Sequence, residues 1–165
     1  MVNKIMKKRI IPVFLFGIIL ALNAEASLIS FLVIETGLPE NAGILKHSAL
    51  WENAFMDVFF DSGYVVTNYP MMRLTSKSEG NIQEICGFDV SEAKDAGVDY
   101  LLIAKLEYVS AILPPQVISF YVFRVDQHEV IYEKHVNGKT YGSDRDATDD
   151  MKKIIKELVQ FVVKL

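Results

Sequence analysis

The stretch that most constrains this chain is Ala96-Gly97-Val98-Asp99-Tyr100-Leu101-Leu102-Ile103-Ala104-Lys105-Leu106-Glu107-Tyr108. In an extended backbone Tyr100, Leu102, Ala104, Leu106 and Tyr108 share one face, while Leu101 and Ile103 lead into Lys105 and Glu107 on the other. A strand that is apolar on both faces for most of its length belongs inside a sheet covered on both sides. The remaining segments read as its neighbours and covers.

Leu28 to Glu35 alternates as a strand, with Ile29, Phe31, Val33 and Glu35 on one face, and Thr36-Gly37-Leu38-Pro39 ends it. Apolar residues at three- and four-residue spacing predict a helix from Leu45 to Asp61, closed by Gly63. Trp51, Met56 and Phe60 widen its apolar stripe, which implies cover by a neighbouring loop or a partner in addition to the sheet. Tyr64 to Tyr69 is a short edge strand stopped by Pro70. Met71 to Gly80 reads as a polar loop and Ile82 to Cys86 as one helical turn. Asp89 with Glu92 three residues on has capping-box spacing, and Gly97 closes the short helix that follows. Val117–Val125 and Val130–Val136 form a hairpin, set off from the central strand by Pro114-Pro115. Ser143 caps a last helix with the core stripe Met151, Ile154, Ile155, Leu158, Val159 and Val162. The order β-α-β-α-β-β-β-α predicts a mixed five-stranded sheet in the order 2-1-3-4-5. Helices on both faces make it a three-layer α/β/α sandwich.

The amino terminus has the features of an export signal. Lys4, Lys7, Lys8 and Arg9 precede the apolar run Ile10–Leu22 and a small-x-small site, Ala24-Glu25-Ala26. Residues 1–26 are therefore expected to be a cleaved signal peptide and residues 27–165 a single domain in the periplasm or outside the cell. A retained segment would instead anchor the chain, but Asn23 and Glu25 break the apolar run short of a spanning length. The mature chain would carry 13 basic and 20 acidic residues, a formal charge of −7. That balance lacks the basic footprint of nucleic-acid binding and favours solubility. Cys86 is the only cysteine, so no internal disulfide forms, and its apolar neighbours predict a buried structural thiol.

Chemistry-bearing residues are few. In such a sheet the crevice lies where the strand order reverses, beyond the carboxyl ends of the first and third strands, where Glu35, Thr36, Glu107 and Tyr108 stand. Two carboxylates there can serve as an acid/base pair, or they mark where buried strands emerge into water. His47, His128 and His135 have no metal-ligand spacing, and no phosphate loop, nucleophile elbow or dinucleotide fingerprint occurs, so neither metal nor cofactor is expected. Trp51, Glu52 and Asp57 lie along the first helix as either a solvated face or a docking edge with Trp51 as anchor.

The helix-to-strand join Glu92-Ala93-Lys94-Asp95-Ala96-Gly97-Val98-Asp99-Tyr100-Leu101-Leu102-Ile103-Ala104 resembles that of cell-envelope domains of the CsgG, LpoB and TolB amino-terminal type. The surrounding elements follow the same order. Ala104 stands where those domains usually carry Gly, and Ser27 where many carry the lipid-bearing Cys. The resemblance implies a non-catalytic periplasmic module that binds another envelope protein; the charge balance predicts no nucleic-acid partner, and membrane contact is expected only through a retained signal segment. It leaves room for a homo-oligomer. The other reading is a periplasmic small-molecule sensor or hydrolase that uses Glu35 and Glu107.

Overall fold

The computed structural model describes residues 27–39, 42–43, 45–74 and 81–164. The expected signal peptide and the end of the loop expected after Met71 lie outside these residues. The elements are β1 (Leu28–Thr36), α1 (Lys46–Asp61), β2 (Val65–Asn68), β3 (Met72–Leu74), α2 (Ile82–Ile85), α3 (Gly87–Asp95), β4 (Tyr100–Glu107), β5 (Val117–Arg124), β6 (Glu129–Asn137) and α4 (Asp144–Val162).

The expected central segment, β4, lies between β1 and β5 in a sheet ordered β2-β1-β4-β5-β6. β1 pairs parallel with β2 and β4, and the β4–β5–β6 run is antiparallel. The predicted order therefore holds for the five expected strands, but the sheet contains a sixth. Met72–Leu74, expected as loop, pairs parallel with Ile34–Thr36, while β2 pairs with Leu28–Phe31 on the same edge. Pro70 between them has no N–H to give a ladder, so the edge is broken into two short strands.

Strand alternation divides the core in two. One face of the sheet carries Ile29, Phe31, Val33, Leu102, Ala104 and Leu106 beneath α1 and α4. The other carries Leu32, Ile34, Leu101 and Ile103 beneath Ile82, Cys86, Val90 and Ala93 of the α2–α3 segment. Each Val, Leu, Ile or Phe among them contributes on the order of 1.5–3 kcal/mol by leaving water, which is why a strand apolar on both faces settles in the middle. Aromatic rings fill the α1 side: Phe31 stacks on Phe55 with centroids 5.5 Å apart, and Trp51 lies 5.2 Å from Phe120.

Helix ends follow local chemistry with one correction. Ser143 caps α4, its hydroxyl accepting from the Asp146 N–H at 3.2 Å. Asp89 does not cap α3, which starts two residues earlier at Gly87 with buried Cys86 at the N-cap. Burying Cys86 brings α2 and α3 end to end, so Asp89 falls inside the first turn. Two glycines let backbones meet at the carboxyl end of β4. Gly37 takes φ +80°, and a Cβ there would collide with the Tyr108 carbonyl. A Cβ on Gly138 would collide with the carbonyl of Pro115.

Candidate functional site

Glu35, next to last in β1 and on the face beneath α1, is fully buried, at 0% exposure. Its partner is Arg73 of β3, directly opposite in the parallel register. Arg73 Nε donates to Glu35 Oε2 at 2.8 Å, and the Nη2 group also bonds that oxygen. The same guanidinium donates to the carbonyls of Ala42 and Gly43. Glu35 is thus half of an ion pair that ties β1, β3 and the segment before α1 together. Sequence reading had no signal for Arg73, because a three-residue strand has too little periodicity to register.

The other expected crevice residues do not gather around Glu35. Thr36 lies opposite Glu107 in register, one residue on from Glu35, so the two carboxylates point to opposite faces of the sheet. Glu107 pairs with Lys105 at 3.2 Å, and the Thr36 hydroxyl lies 3.5 Å from the Leu106 carbonyl. Tyr108 shares the α1 face and bonds buried Ser48 through its hydroxyl at 2.8 Å. Burial pushes the Tyr108 phenol up to about 12, against the opposing effect of the Ser48 bond. An acid/base pair of Glu35 and Glu107 is not assembled, because alternation along paired strands separates them.

The expected anchor of the α1 docking edge is turned inward, while Glu52 is half-buried and Asp57 exposed. Trp51 is 1% exposed and packs between Phe55 and Phe120, so it cannot anchor a partner from the surface. Trp51 and Met56 of the wide α1 stripe pack into the core with α4 and the Pro114-Pro115 segment, whereas Phe60 stands exposed at 73%. Glu52 accepts from Asn68 Nδ2 at 2.6 Å, and Asp57 pairs with Lys152 at 2.7 Å. These polar residues fasten α1 to β2 and to α4.

An open surface lies at the same end of the sheet, around the loop between β4 and β5. Val109, Ile112 and Leu113 are exposed there, Ile112 at 90%. Beside the loop a cleft of about 330 Å³ runs between Ile112, Leu113 and Pro114 on one side and Tyr141, Ser143 and the start of α1 on the other. A second hollow of about 240 Å³ lies on the outer side of Pro114 and Pro115, against Val109 and Lys139. Between them, under Pro114, is a recess of about 10 Å³ lined by His47, Trp51, Tyr141 and Met151. Gly138 forms part of this recess, and its N–H donates to the Gln116 carbonyl at 2.9 Å.

The charges around the cleft are mutually paired. Lys46 meets Asp144 at 2.6 Å, and Asp150 accepts from Lys139 at 2.8 Å and from the Tyr141 hydroxyl at 2.7 Å. Those two bonds hold the Asp150 carboxyl below its ordinary range, whereas burial and Asp150 itself push the Tyr141 phenol well up. His47 is held below its ordinary 6.5 by burial and by Lys46, with Asp144 opposing. Its Nδ1 and the Trp51 Nε1 are buried without a hydrogen-bond partner. The other histidines are spent elsewhere: His135 bonds Ser119 and Glu133, and His128 sits in the β5–β6 turn at φ 52°. Among the described residues no cluster of His, Cys, Asp and Glu could hold a metal ion. Burial pushes the Cys86 thiol up to about 12, which makes it an unreactive core residue.

A family model described as "Uncharacterised protein" matches residues 42–160. The chain belongs to that family. The match takes in every part of the cleft. No curated protein sequence matches the chain. Among solved structures the chain is similar to the PelC dodecamer from Paraburkholderia phytofirmans, with a TM-score of 0.50 and 13% identity over 79% of this chain and 85% of that one. It is similar at a TM-score of 0.43 and 11% identity to the LpoB C-terminal domain from Escherichia coli, over 77% of this chain and 93% of that domain. For TolB from Acinetobacter baumannii the TM-score is 0.41 at 11% identity, over 82% of this chain and 28% of TolB. At these identities the likeness is one of fold. No helix among the described residues is long and apolar enough to cross a membrane.

Proposed function

We propose that this chain is an exported, non-catalytic protein-binding or assembly-accessory module of the bacterial cell envelope. In this reading residues 1–26 are its signal peptide and residues 27–165 one domain. The observation that carries the reading is the β4–β5 loop. It presents Val109, Ile112 and Leu113 to water together beside two hollows, whereas the other exposed large apolar side chains among the described residues, Phe60, Val65 and Val163, belong to other elements. Exposing a cluster of apolar side chains disfavours the isolated state and favours one in which another surface covers them. Pro114 and Pro115 restrict the backbone of the loop, which lowers the entropy lost when it docks.

Two further observations support the reading. The basic, apolar and small-x-small order of the amino terminus suits export. The PelC fold it shares is found in a dodecamer, so this architecture is compatible with an assembly built through its surface. The partner is another envelope protein, with a second copy of the chain as the other occupant. The carboxylate-based sensor or hydrolase is not favoured, because Glu35 and Glu107 face apart.

Site-specific photo-crosslinking in cells tests this. A crosslinker at Ile112 is expected to give a discrete adduct in the envelope fraction, and one at exposed Lys156 on α4 none. Retention of the chain in the cytoplasm, or equal adducts from both positions, would contradict the proposal.

A further inference from the structure

The recess beneath Pro114 joins two observations that packing alone does not explain. Trp51 is 1% exposed, yet its Nε1 has no hydrogen-bond partner. An indole N–H can only donate, so what satisfies it must be an acceptor. Leaving such a group buried and unpaired costs on the order of 1–3 kcal/mol. His47, one turn earlier on the same face of α1, adds a second buried nitrogen without a partner, its Nδ1. Both residues line the recess, whose volume of about 10 Å³ suits one oxygen atom.

The surroundings narrow what that oxygen is attached to. The cleft leading to the recess shares His47, Pro114 and Tyr141 with it, and its outer wall is Ile112 and Leu113. The charged groups at its mouth, Lys46 with Asp144 and Lys139 with Asp150, are paired with one another, so among the described residues the mouth carries no net charge that favours an ion. A neutral acceptor oxygen flanked by apolar groups is the chemistry of a backbone carbonyl in an apolar peptide. The β4–β5 loop supplies apolar surface on one side, and Trp51 of α1, whose Nε1 is unpartnered, forms part of the lining of the recess.

We propose that this cleft binds an extended apolar peptide segment, one of whose carbonyl oxygens enters the recess and accepts from Trp51 Nε1. The segment packs against Ile112, Leu113 and Pro114. The proposal deepens the docking reading above by naming the chemistry of the docked partner, and it rests on that reading for the partner's being a protein.

The chain has a single tryptophan, so its indole N–H gives one resonance that reports on the recess alone. The full chain, labelled with nitrogen-15, is titrated with N-acetyl-Val-Leu-Val amide and, separately, with the same tripeptide as its free acid. The neutral peptide is expected to move the indole N–H resonance downfield with a saturable curve, and the free acid to bind no more than threefold tighter. Ile112→Ser and Leu113→Ser, both at exposed positions that leave the fold intact, are each expected to weaken binding about tenfold, the loss of one buried apolar side chain.

An indole resonance that stays fixed with both peptides would overturn the proposal, leaving the recess to a water molecule. Binding of the acid more than tenfold tighter than the amide would overturn it in favour of an anion site, and so would an affinity indifferent to both substitutions. Crosslinking from Ile112 with a silent indole would retain the docking surface and remove the recess from it. A responsive indole without crosslinks would do the reverse.

Discussion

The carboxyl ends of β1 and β4 lie side by side in the sheet, yet they have opposite characters. At β1 the charged groups are paired within the chain: Glu35 is buried with Oε2 held by Arg73, which also bonds the carbonyls of Ala42 and Gly43, and only Glu35 Oε1 is left without a hydrogen-bond partner. At the end of β4 the chain turns outward into apolar residues that no described residue covers, beside a recess with two unpartnered nitrogens. Charge at the end of a strand here serves cohesion, and on the docking reading proposed above the exposed apolar surface serves recognition. The β1 end should respond to substitution by losing stability, and the β4 end by losing binding.

The largest effect is expected at the ion pair. Arg73→Met leaves the Glu35 carboxylate buried without its partner and should cost about 3–5 kcal/mol in urea unfolding. The double change Glu35→Leu with Arg73→Met should recover much of that loss, because it removes both charges together. A single substitution costing less than about 1 kcal/mol would show that the pair is dispensable to the fold.

A smaller effect should follow from Gly138→Ala. The added methyl group meets the Pro115 carbonyl, and overpacking of this kind costs about 1–3 kcal/mol. It should also shift the β4–β5 loop, seen as displaced amide resonances from Val109 to Gln116. An unchanged loop spectrum would show that Gly138 does not set its position.

The smallest effect is a pH dependence at the recess. The His47 imidazole is held below 6.5 in the folded chain, so its folded state binds the proton less readily than its unfolded state. Its contribution to stability is full above pH 6.5 and is lost as the pH falls below that value towards the folded pKa. His47→Gln should therefore flatten the change in stability between pH 7.5 and 5.5. Equal slopes for both proteins would assign the effect to another group.

Much of the architecture was legible because periodicity is a local property. The β4 pattern gave a doubly covered strand, and the order of five strands followed from crossovers and a hairpin. What was not legible depended on partners distant in sequence. Arg73 lies 38 residues beyond Glu35 and in a strand of three residues, so Glu35 read as a free carboxylate. Trp51 reads as part of a solvated face or as a surface anchor because helix periodicity gives the width of a stripe and not what covers it; α4, some 90 residues on, and the Pro114-Pro115 segment cover Trp51. The exposed loop was passed over for the converse reason. Val109, Ile112 and Leu113 lie between two buried strands, and an apolar residue carries no mark of which side of the surface it will occupy.

The division between a cohesive end and a recognition end is tested most directly by measuring unfolding free energy and Ile112-region crosslinking together in Arg73→Met and Leu113→Ser, with the crosslinker at Val109. The account predicts that Arg73→Met loses several kcal/mol of stability yet still crosslinks while folded. Leu113→Ser should unfold within about 0.5 kcal/mol of the parent and lose the adduct. An unchanged adduct in folded Leu113→Ser, or a loss confined to folded Arg73→Met, would contradict it.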